Sequence, residues 1–391
     1  MISNMENTMR DAVIVAYGRS AVCRAKDGPF VGVHPIEWGA QALNGVLAKI
    51  PQLDPNEIDD VVVGCARTVN KCARNVARLI CLRAGLEPVS AQTINRFCSS
   101  GLQAISTCAN AISVGDIDVA VAGGIESMSM IQTPGPDDLD TTLDEICPGA
   151  YMAMGITAEN VAQQRGITRV EMDRFAVESH IKAAEAQAKG YLNRSIVPVT
   201  VKDADGNDVV VDTDQGIRPG SNTESLAKLK PCFKEDGVVT AATSSQTNDS
   251  AAFMVIMSRE KADGLGIKPI ARLVRYATAG CDPETMGLGP IYAVPKVMVR
   301  SGLTVNDMDV IELNEAFAAQ AIPCIRELDF DPEKVNPWGG AIALGHPMGA
   351  TGVFLAIKAL DYLREHSGQY ALVTMCIGSG QGAAGILELI P

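Results

Sequence analysis

The sequence predicts a layered α/β protein built from two similar halves. Strand-like and helix-like segments alternate from residue 11 to residue 127, and the alternation resumes after residue 253. Each half has a strand, a turn bearing glycine or cysteine, a helix and a closing strand with glycines. Residues 118–127 (DVAVAGGIES) and 369–382 (QYALVTMCIGSGQG) are the predicted counterparts in this loose internal repeat.

The elements of the first half follow from their residue patterns. β-Branched apolar runs predict strands, and apolar residues at helical spacing predict helices. In chain order these are strand 11–17, helix 35–49, strand 59–63, helix 75–84, short strand 91–97, helix 100–113 and strand 118–127.

The middle of the chain has a different character and predicts an inserted domain, residues 128–245. It contains a Pro/Gly/Asp-rich segment, a helical stretch and a hairpin whose turn is DADGND, at 128–150, 158–189 and 197–208. The α/β pattern then resumes with segments 253–258 and 269–277. Helices are predicted at 293–301, 315–326 and 350–364, and strands at 309–314, 370–376 and 385–390. The predicted domains are 1–127 plus 246–268, 128–245, and 269–391.

Composition narrows the possible partners. The net charge of −13 and the lack of a basic cluster argue against nucleic acid. No apolar run approaches the roughly 18 residues of a membrane span, and the first ten residues do not resemble a secretory signal. The 11 cysteines are scattered without a C-x-x-C pair, so most are expected to be reduced. A cytoplasmic location is predicted.

The segment N-R-F-C-S-S-G at 95–101 places Cys98 between a strand and a helix start. Free backbone N–H groups and the helix dipole favour a thiolate there, and the same N–H groups can stabilise an oxyanion. Cys98 is therefore a candidate nucleophile. The alternative is a buried structural cysteine at a strand–helix junction.

The Gly-rich segment 339–352 (GGAIALGHPMGATG) contains His346, one of four histidines. Its position before a helix makes it a candidate base for a cysteine. A histidine held inside a loop network is the alternative. His34, His180 and His366 lack a comparable setting and are expected to be solvated or packed.

Two further motifs end predicted strands. In C-I-G-S-G-Q-G at 376–382, Cys376 could move a proton on carbon and Gly378 could offer an N–H to an oxyanion. In N-E-A-F-A-A-Q at 314–320, Asn314 could hold a water or cap the next helix. A core cysteine before a glycine turn is the alternative for Cys376.

Taken together, and in their order along the chain, these motifs and G-G-I-E-S-M-S resemble those of thiolases over residues 11–390. The resemblance implies a five-layer αβαβα fold of two halves with a loop domain over a coenzyme A site. It implies Cys98 as acyl-accepting nucleophile, His346 as its base and Cys376 as acid/base at the α-carbon. Asn314 would hold an oxyanion-hole water, and the N–H groups of Cys98 and Gly378 would form a second hole.

The resemblance also implies a substrate site and an assembly. Coenzyme A and acyl-CoA would be the substrates, with no metal or redox cofactor, and a homodimer or homotetramer is expected. The residues expected near coenzyme A or the acyl chain are Arg218, Ser245, Phe233, Met154, Met286 and Phe317.

The subtype is inferred from smaller features. Biosynthetic acetoacetyl-CoA thiolases usually have His-Met-Gly where this chain has residues 153–155 (AMG). S-S-Q at 244–246 and N-P-W-G-G at 336–340 look more like degradative 3-ketoacyl-CoA thiolases. Ser250, Trp338 and the segment 65–75 (CARTVNKCARN) fit neither class, which leaves acyl length and interface detail open.

Three other hypotheses remain. A decarboxylating ketoacyl synthase usually pairs its cysteine with two histidines, or with His and Asn, which the Cys376 motif and the single placed histidine disfavour. A non-catalytic acyl-CoA- or lipid-binding relative would be expected to have lost catalytic residues. Oxidation could also pair Cys98 with Cys376 if the two face one cavity.

Overall fold

The structure is a computed structural model that describes residues 9–131 and 139–391. Its strands are β1 Ala12–Arg19, β2 Cys23–Arg24, β3 Asp60–Gly64, β4 Ser90–Ile94, β5 Val119–Ser127, β6 Val199–Lys202, β7 Asp208–Val211, β8 Asn248–Ser258, β9 Ala271–Gly280, β10 Val310–Leu313, β11 Tyr370–Ile377 and β12 Gln381–Leu389. Its helices are α1 Pro35–Leu47, α2 Val76–Arg83, α3 Ser100–Val114, α4 Thr141–Ile146, α5 Met154–Arg165, α6 Arg169–Ala188, α7 Thr223–Ala227, α8 Arg259–Leu265, α9 Gly289–Ser301, α10 Ala318–Glu327, α11 Ala341–Leu344 and α12 Met348–His366.

The main sheet consists of two runs of strands with the same pattern. The first run has the order β1-β8-β5-β3-β4 and the second has the order β9-β12-β11-β10. Ile14 and Ala271 join the two runs through an antiparallel pair between β1 and β9. β5 lies between an antiparallel and a parallel neighbour, and β11 does the same in its run. This confirms the internal repeat and its predicted counterparts.

Alternating side chains on the strands divide the core into layers. Val13 of β1 packs in a cluster with α1 and α2, whereas Ile14 faces a cluster formed by α3 and α12. In the second run, Ile386 faces α9 and α10, and Leu387 faces the α3/α12 cluster. The layers are therefore helix, sheet, helix, sheet, helix, as predicted.

The two central helices, α3 and α12, approach each other very closely. A Cβ atom on Gly101 of α3 would lie 2.9 Å from the Val353 nitrogen and 3.0 Å from the Gly349 carbonyl oxygen, both in α12. Only residues without a side chain fit at this distance. The first turns of α3 and α12 therefore lie side by side, and the segments that precede them meet at the same edge of the sheets.

Some element boundaries differ from the sequence prediction. The single helical stretch predicted over 158–189 is two helices, because Gly166 ends α5 with a φ of 64°. The helix predicted from residue 315 begins at Ala318, with Phe317 at its N-cap position. The predicted 128–150 segment lies partly outside the described residues, and the domain boundaries stay a prediction. None of the described helices is long and apolar enough to cross a membrane.

Candidate active site

A rigid turn presents Cys98 between β4 and α3. The side-chain oxygen of Asn95 accepts a 2.8 Å hydrogen bond from the Phe97 N–H, and Phe97 has a φ of 42°. The Ser100 hydroxyl donates to the Phe97 carbonyl at 2.7 Å. These local bonds fix a short 3₁₀ turn over Phe97–Ser99, after which α3 begins. Cys98 is half-buried there, and it lies between a strand and a helix start, as the sequence predicted.

The Cys98 thiol is predominantly neutral in the resting protein. Burial raises its pKa to about 11, and the nearby charge of Glu126 acts in the same direction. Hydrogen bonds from the backbone N–H groups of Gly378 and Cys98 oppose this effect. The N–H groups at the helix start do act in favour of a thiolate, as expected, but burial outweighs them. A base must remove the proton when Cys98 reacts.

Cys376 lies at the end of β11 and is fully buried. Burial raises the pKa of its thiol well above the usual value, and the neighbouring Cys98 sulfur adds to this effect. Both cysteines are free thiols. A Cβ atom on Gly378 would lie 3.6 Å from the Met154 sulfur and 3.9 Å from the Phe97 ring, so this glycine forms part of the same small site.

His346 is held by its backbone and by both ring nitrogens. Its backbone N–H points to the Gln246 carbonyl and to the Asn248 side-chain oxygen, each at 3.1 Å. Nδ1 lies 2.7 Å from the Thr351 hydroxyl oxygen and Nε2 lies 3.4 Å from the Asn314 amide nitrogen. Burial lowers the pKa of His346 to about 4, so the ring is neutral near pH 7.

Asn314 directly follows β10 and is buried beside His346. Its backbone N–H donates to the Thr374 carbonyl at 3.0 Å, which ties it to β11. Its side-chain Oδ1 is buried without a hydrogen-bond partner among the described residues. The helix-cap alternative is wrong, because α10 begins four residues later, at Ala318. An unpaired buried oxygen of this kind suits an ordered water.

The residues expected around coenzyme A partly converge on this site. The Phe233 and Phe317 rings meet edge to face, with centroids 6.0 Å apart. Phe317 shares an apolar cluster with Met286 and Cys376. The backbone N–H of Ser245 donates to the carbonyl of Ala316, the residue before Phe317.

Arg218 and Met154 are exposed in different places. Met154 lies against Gly378, as described above, and is 38% exposed, so it can contact both solvent and the site. Arg218 is exposed, and its backbone N–H donates to Nδ1 of the buried His180 at 3.2 Å. The Arg218 side chain makes no hydrogen bond or ion pair with another described residue.

The unusual residues Trp338 and Ser250 have structural explanations. Trp338 stacks on Tyr191 with centroids 4.8 Å apart and meets Tyr362 edge to face. It belongs to the central core cluster, whereas Met286 and Phe317 belong to another. Ser250 is buried in β8, and its hydroxyl lies 3.2 Å from that of Ser20. Trp338 therefore gives no direct reason to expect an altered acyl pocket.

Sequence reasoning assigned no role to Glu126 or Thr351. The buried Glu126 carboxylate accepts hydrogen bonds from the backbone N–H groups of Ala66, Arg67 and Gly349. One signal was available for Glu126, since it is the only ionisable residue between Val119 and Ser127, an otherwise uncharged strand. Thr351 lies five residues after His346, and its contact with the ring depends on the turn at Pro347.

Two family descriptions match the chain over almost its whole length. The thiolase N-terminal domain matches residues 12–260, and the thiolase C-terminal domain matches residues 267–389. The chain belongs to the thiolase family.

Individual relatives have more specific names. A 3-ketoacyl-CoA thiolase of Bacillus subtilis is 45% identical, over 97% of this chain and 100% of the relative. The human peroxisomal 3-ketoacyl-CoA thiolase is 43% identical, over 97% of this chain and 91% of the relative. Among solved structures, the Bacillus anthracis acetyl-CoA acetyltransferase superposes with a TM-score of 0.91 at 37% identity, covering 98% of this chain and 100% of that one.

Proposed function

We propose that the protein is an acyltransferase that cleaves 3-ketoacyl-CoA with coenzyme A, giving acetyl-CoA and a shortened acyl-CoA. The observation that carries this proposal is the meeting of Cys98, Cys376 and the Gly378 N–H at one site in a thiolase chain. The names and the 41–45% identities of the relatives favour this reaction over biosynthetic condensation of two acetyl-CoA molecules.

In the first half-reaction, His346 Nε2 takes the proton of Cys98 and the sulfur attacks C3 of the substrate. The electron pair of the C3 carbonyl moves to its oxygen, which the N–H groups of Cys98 and Gly378 stabilise. When that oxyanion collapses, the C2–C3 bond breaks and its electrons form the enolate of acetyl-CoA. The acyl group stays on Cys98 as a thioester.

Three groups complete the reaction. His346 and a water on Asn314 stabilise the enolate oxygen, and Cys376 gives its proton to C2. The incoming coenzyme A thiol then returns a proton to Cys376, and its sulfur takes the acyl group from Cys98. Cys98 leaves as a thiolate and recovers the proton held by His346. All groups return to their starting state, and we propose that no cofactor is required besides coenzyme A as substrate.

We propose that Met286 and Phe317 line the acyl pocket, and that Arg218, Ser245, Phe233 and Met154 contact coenzyme A. The support for the pocket is the shared apolar cluster of Met286, Phe317 and Cys376. We also propose a homodimer or homotetramer located in the cytoplasm. Light scattering of the purified protein would test the oligomeric state.

Steady-state thiolysis kinetics with 3-ketoacyl-CoA substrates, from acetoacetyl-CoA to long chains, test the proposed reaction. The expected result is thiolysis that is abolished by Cys98→Ala, while coenzyme A binding survives. Cys81→Ala, a buried cysteine of α2, is the matched control and should remain active. Thiolysis by Cys98→Ala, or robust condensation from a malonyl thioester, would contradict the proposal.

A further inference from the structure

The ring of His346 has two polar side-chain neighbours, one at each nitrogen. The Thr351 hydroxyl oxygen lies 2.7 Å from Nδ1, and the Asn314 amide nitrogen lies 3.4 Å from Nε2. Thr351 and Asn314 are fully buried and His346 is nearly so. Both contacts are therefore shielded from bulk solvent, and these two side chains set the protonation pattern of the ring.

The chemistry of the two partners determines which nitrogen carries the proton. The Asn314 amide is oriented with its nitrogen towards Nε2. An amide nitrogen only donates hydrogen bonds, so in this orientation Nε2 faces Asn314 with its lone pair. A neutral imidazole has a single N–H, which must then be on Nδ1. The Thr351 hydroxyl can accept as well as donate, so it accepts from Nδ1–H.

We propose that Thr351 is a positioning residue that holds the proton of neutral His346 on Nδ1 and thereby keeps Nε2 unprotonated, so that Nε2 can exchange its long 3.4 Å contact with Asn314 for the proton of Cys98. This inference rests on the proposed role of His346 as the base. In the other tautomer Nε2 would carry the hydrogen and could not accept the Cys98 proton.

The choice of a hydroxyl instead of a carboxylate has a chemical consequence. When Nε2 takes the Cys98 proton, the Nδ1–H of the imidazolium stays hydrogen-bonded to the Thr351 hydroxyl. Because this hydroxyl is neutral, it offers no negative charge to stabilise the positive ring. Burial lowers the pKa of His346 without a contribution from any charged side chain of the described residues. The positive ring is therefore a strong acid, well suited to hydrogen-bond the enolate oxygen and then return its proton.

Nitrogen-15 NMR of histidine-labelled protein tests this arrangement directly. The His346→Gln variant assigns the His346 signals by their loss. Wild-type His346 should show a protonated Nδ1 and an unprotonated Nε2 at neutral pH. Thr351→Val keeps the shape of the side chain but removes its hydrogen-bonding oxygen, and should shift population towards the Nε2–H tautomer.

The same variants should change the reactivity of Cys98. Losing one neutral hydrogen bond can alter the ratio of the two tautomers by up to about tenfold. Alkylation of Cys98 by iodoacetamide should slow in proportion to the lost Nδ1–H population, which is a smaller factor than the change in the ratio. Thr351→Ser should restore both the tautomer and the rate. Thr374→Val is the matched control, because it removes a buried hydroxyl that donates to the Ala383 carbonyl at 2.8 Å and does not touch His346.

Two results would overturn the inference. One is a wild-type spectrum with the proton on Nε2, which needs no variant and so does not depend on the folding of Thr351→Val. The other is a Thr351→Val protein whose tautomer and alkylation rate match those of Thr374→Val. Neither result depends on thiolysis, so a failure here is distinguishable from a failure of the proposed reaction.

Discussion

Glu126, at the end of β5, accepts a 2.9 Å hydrogen bond from the backbone N–H of Gly349 in the first turn of α12. The same carboxylate accepts from the N–H groups of Ala66 and Arg67, in the loop after β3. A single buried side chain thus ties the first half of the protein to the helix that follows His346. Burial raises the pKa of Glu126 to about 7, because the charged carboxylate is less stable away from water.

We expect Glu126→Ala to impair both stability and catalysis. It leaves three N–H groups without their acceptor, which should lower the free energy of unfolding by about 3 kcal/mol or more. Because α12 begins beside His346, kcat for thiolysis should fall at least about tenfold. Urea unfolding and steady-state kinetics would measure the two effects.

Glu159→Ala provides a matched control for this variant. Glu159 is also a buried glutamate, and it accepts from the N–H groups of Val238 and Val239. Its loss should reduce stability with little change in kcat. Equal kcat values for the two variants would argue against a special role for the Glu126 bond.

Much of the fold was predictable because it follows from local patterns. β-Branched runs and helical spacing predicted the strands and central helices, and the counterparts β5 and β11 were recognisable from their glycine-bearing segments. The glycines expected to form a turn at the end of the first segment, Gly123 and Gly124, instead lie inside β5. The break at Gly166 was missed because glycine within an Ala-rich helical pattern does not by itself end a helix. The start of α10 was missed by three residues, since residues 314–317 form an irregular connection between β10 and α10.

The candidate site was predictable only in part. His346 and Cys376 stand next to glycine-rich segments, and Cys98 stands at a strand-to-helix junction, all of which can be read in the sequence. The raised pKa of Cys98 could not be predicted, because it depends on burial by residues distant in the chain. The bonds of Glu126 to Gly349 and of Thr351 to His346 were also hidden, as they depend on how the two halves pack.

The close approach of α3 and α12 predicts that a single methyl group at Gly101 will be harmful. In Gly101→Ala, the new Cβ would lie 2.9 Å from the Val353 nitrogen, so the helices must separate. We expect a loss of about 1–3 kcal/mol in unfolding free energy and a lower kcat, because Cys98 and His346 precede these helices. Gly264→Ala in α8 is the control, since its Cβ would meet nothing within 4 Å and should be neutral or mildly stabilising. Equal effects of the two substitutions would contradict this packing argument.

The separate roles of the two cysteines predict a split between acyl transfer and carbon–carbon cleavage. Cys376→Ala should lose thiolysis, because nothing protonates C2 of the departing enolate. It should still exchange labelled coenzyme A with acetyl-CoA, because Cys98 and His346 are sufficient for that step. Cys98→Ala should lose both activities. Isotope exchange and thiolysis assays on the same preparations would measure the split, and loss of exchange in Cys376→Ala would be inconsistent with these roles.

The buried neutral state of His346 predicts a specific loss of stability in acid. Burial lowers the pKa of His346 from 6.5 to about 4 in the folded protein, so the unfolded chain binds its proton more tightly. Stability should therefore fall as the pH drops from about 6.5 to 4, and this group alone should account for about 3 kcal/mol.

His346→Gln removes this contribution, because glutamine does not titrate. Between pH 7 and pH 4, the free energy of unfolding of His346→Gln should rise by about 3 kcal/mol relative to that of the wild type, whatever the difference between the two proteins at pH 7. His180→Gln is the matched comparison, since burial and the nearby Arg218 lower the pKa of His180 to about 4 as well. It should give a similar gain in acid but leave the alkylation rate of Cys98 unchanged, whereas His346→Gln should slow it. Chemical denaturation across this pH range would measure these differences. If the free energy of unfolding changed equally with pH in His346→Gln and in the wild type, His346 would not be buried in the neutral form.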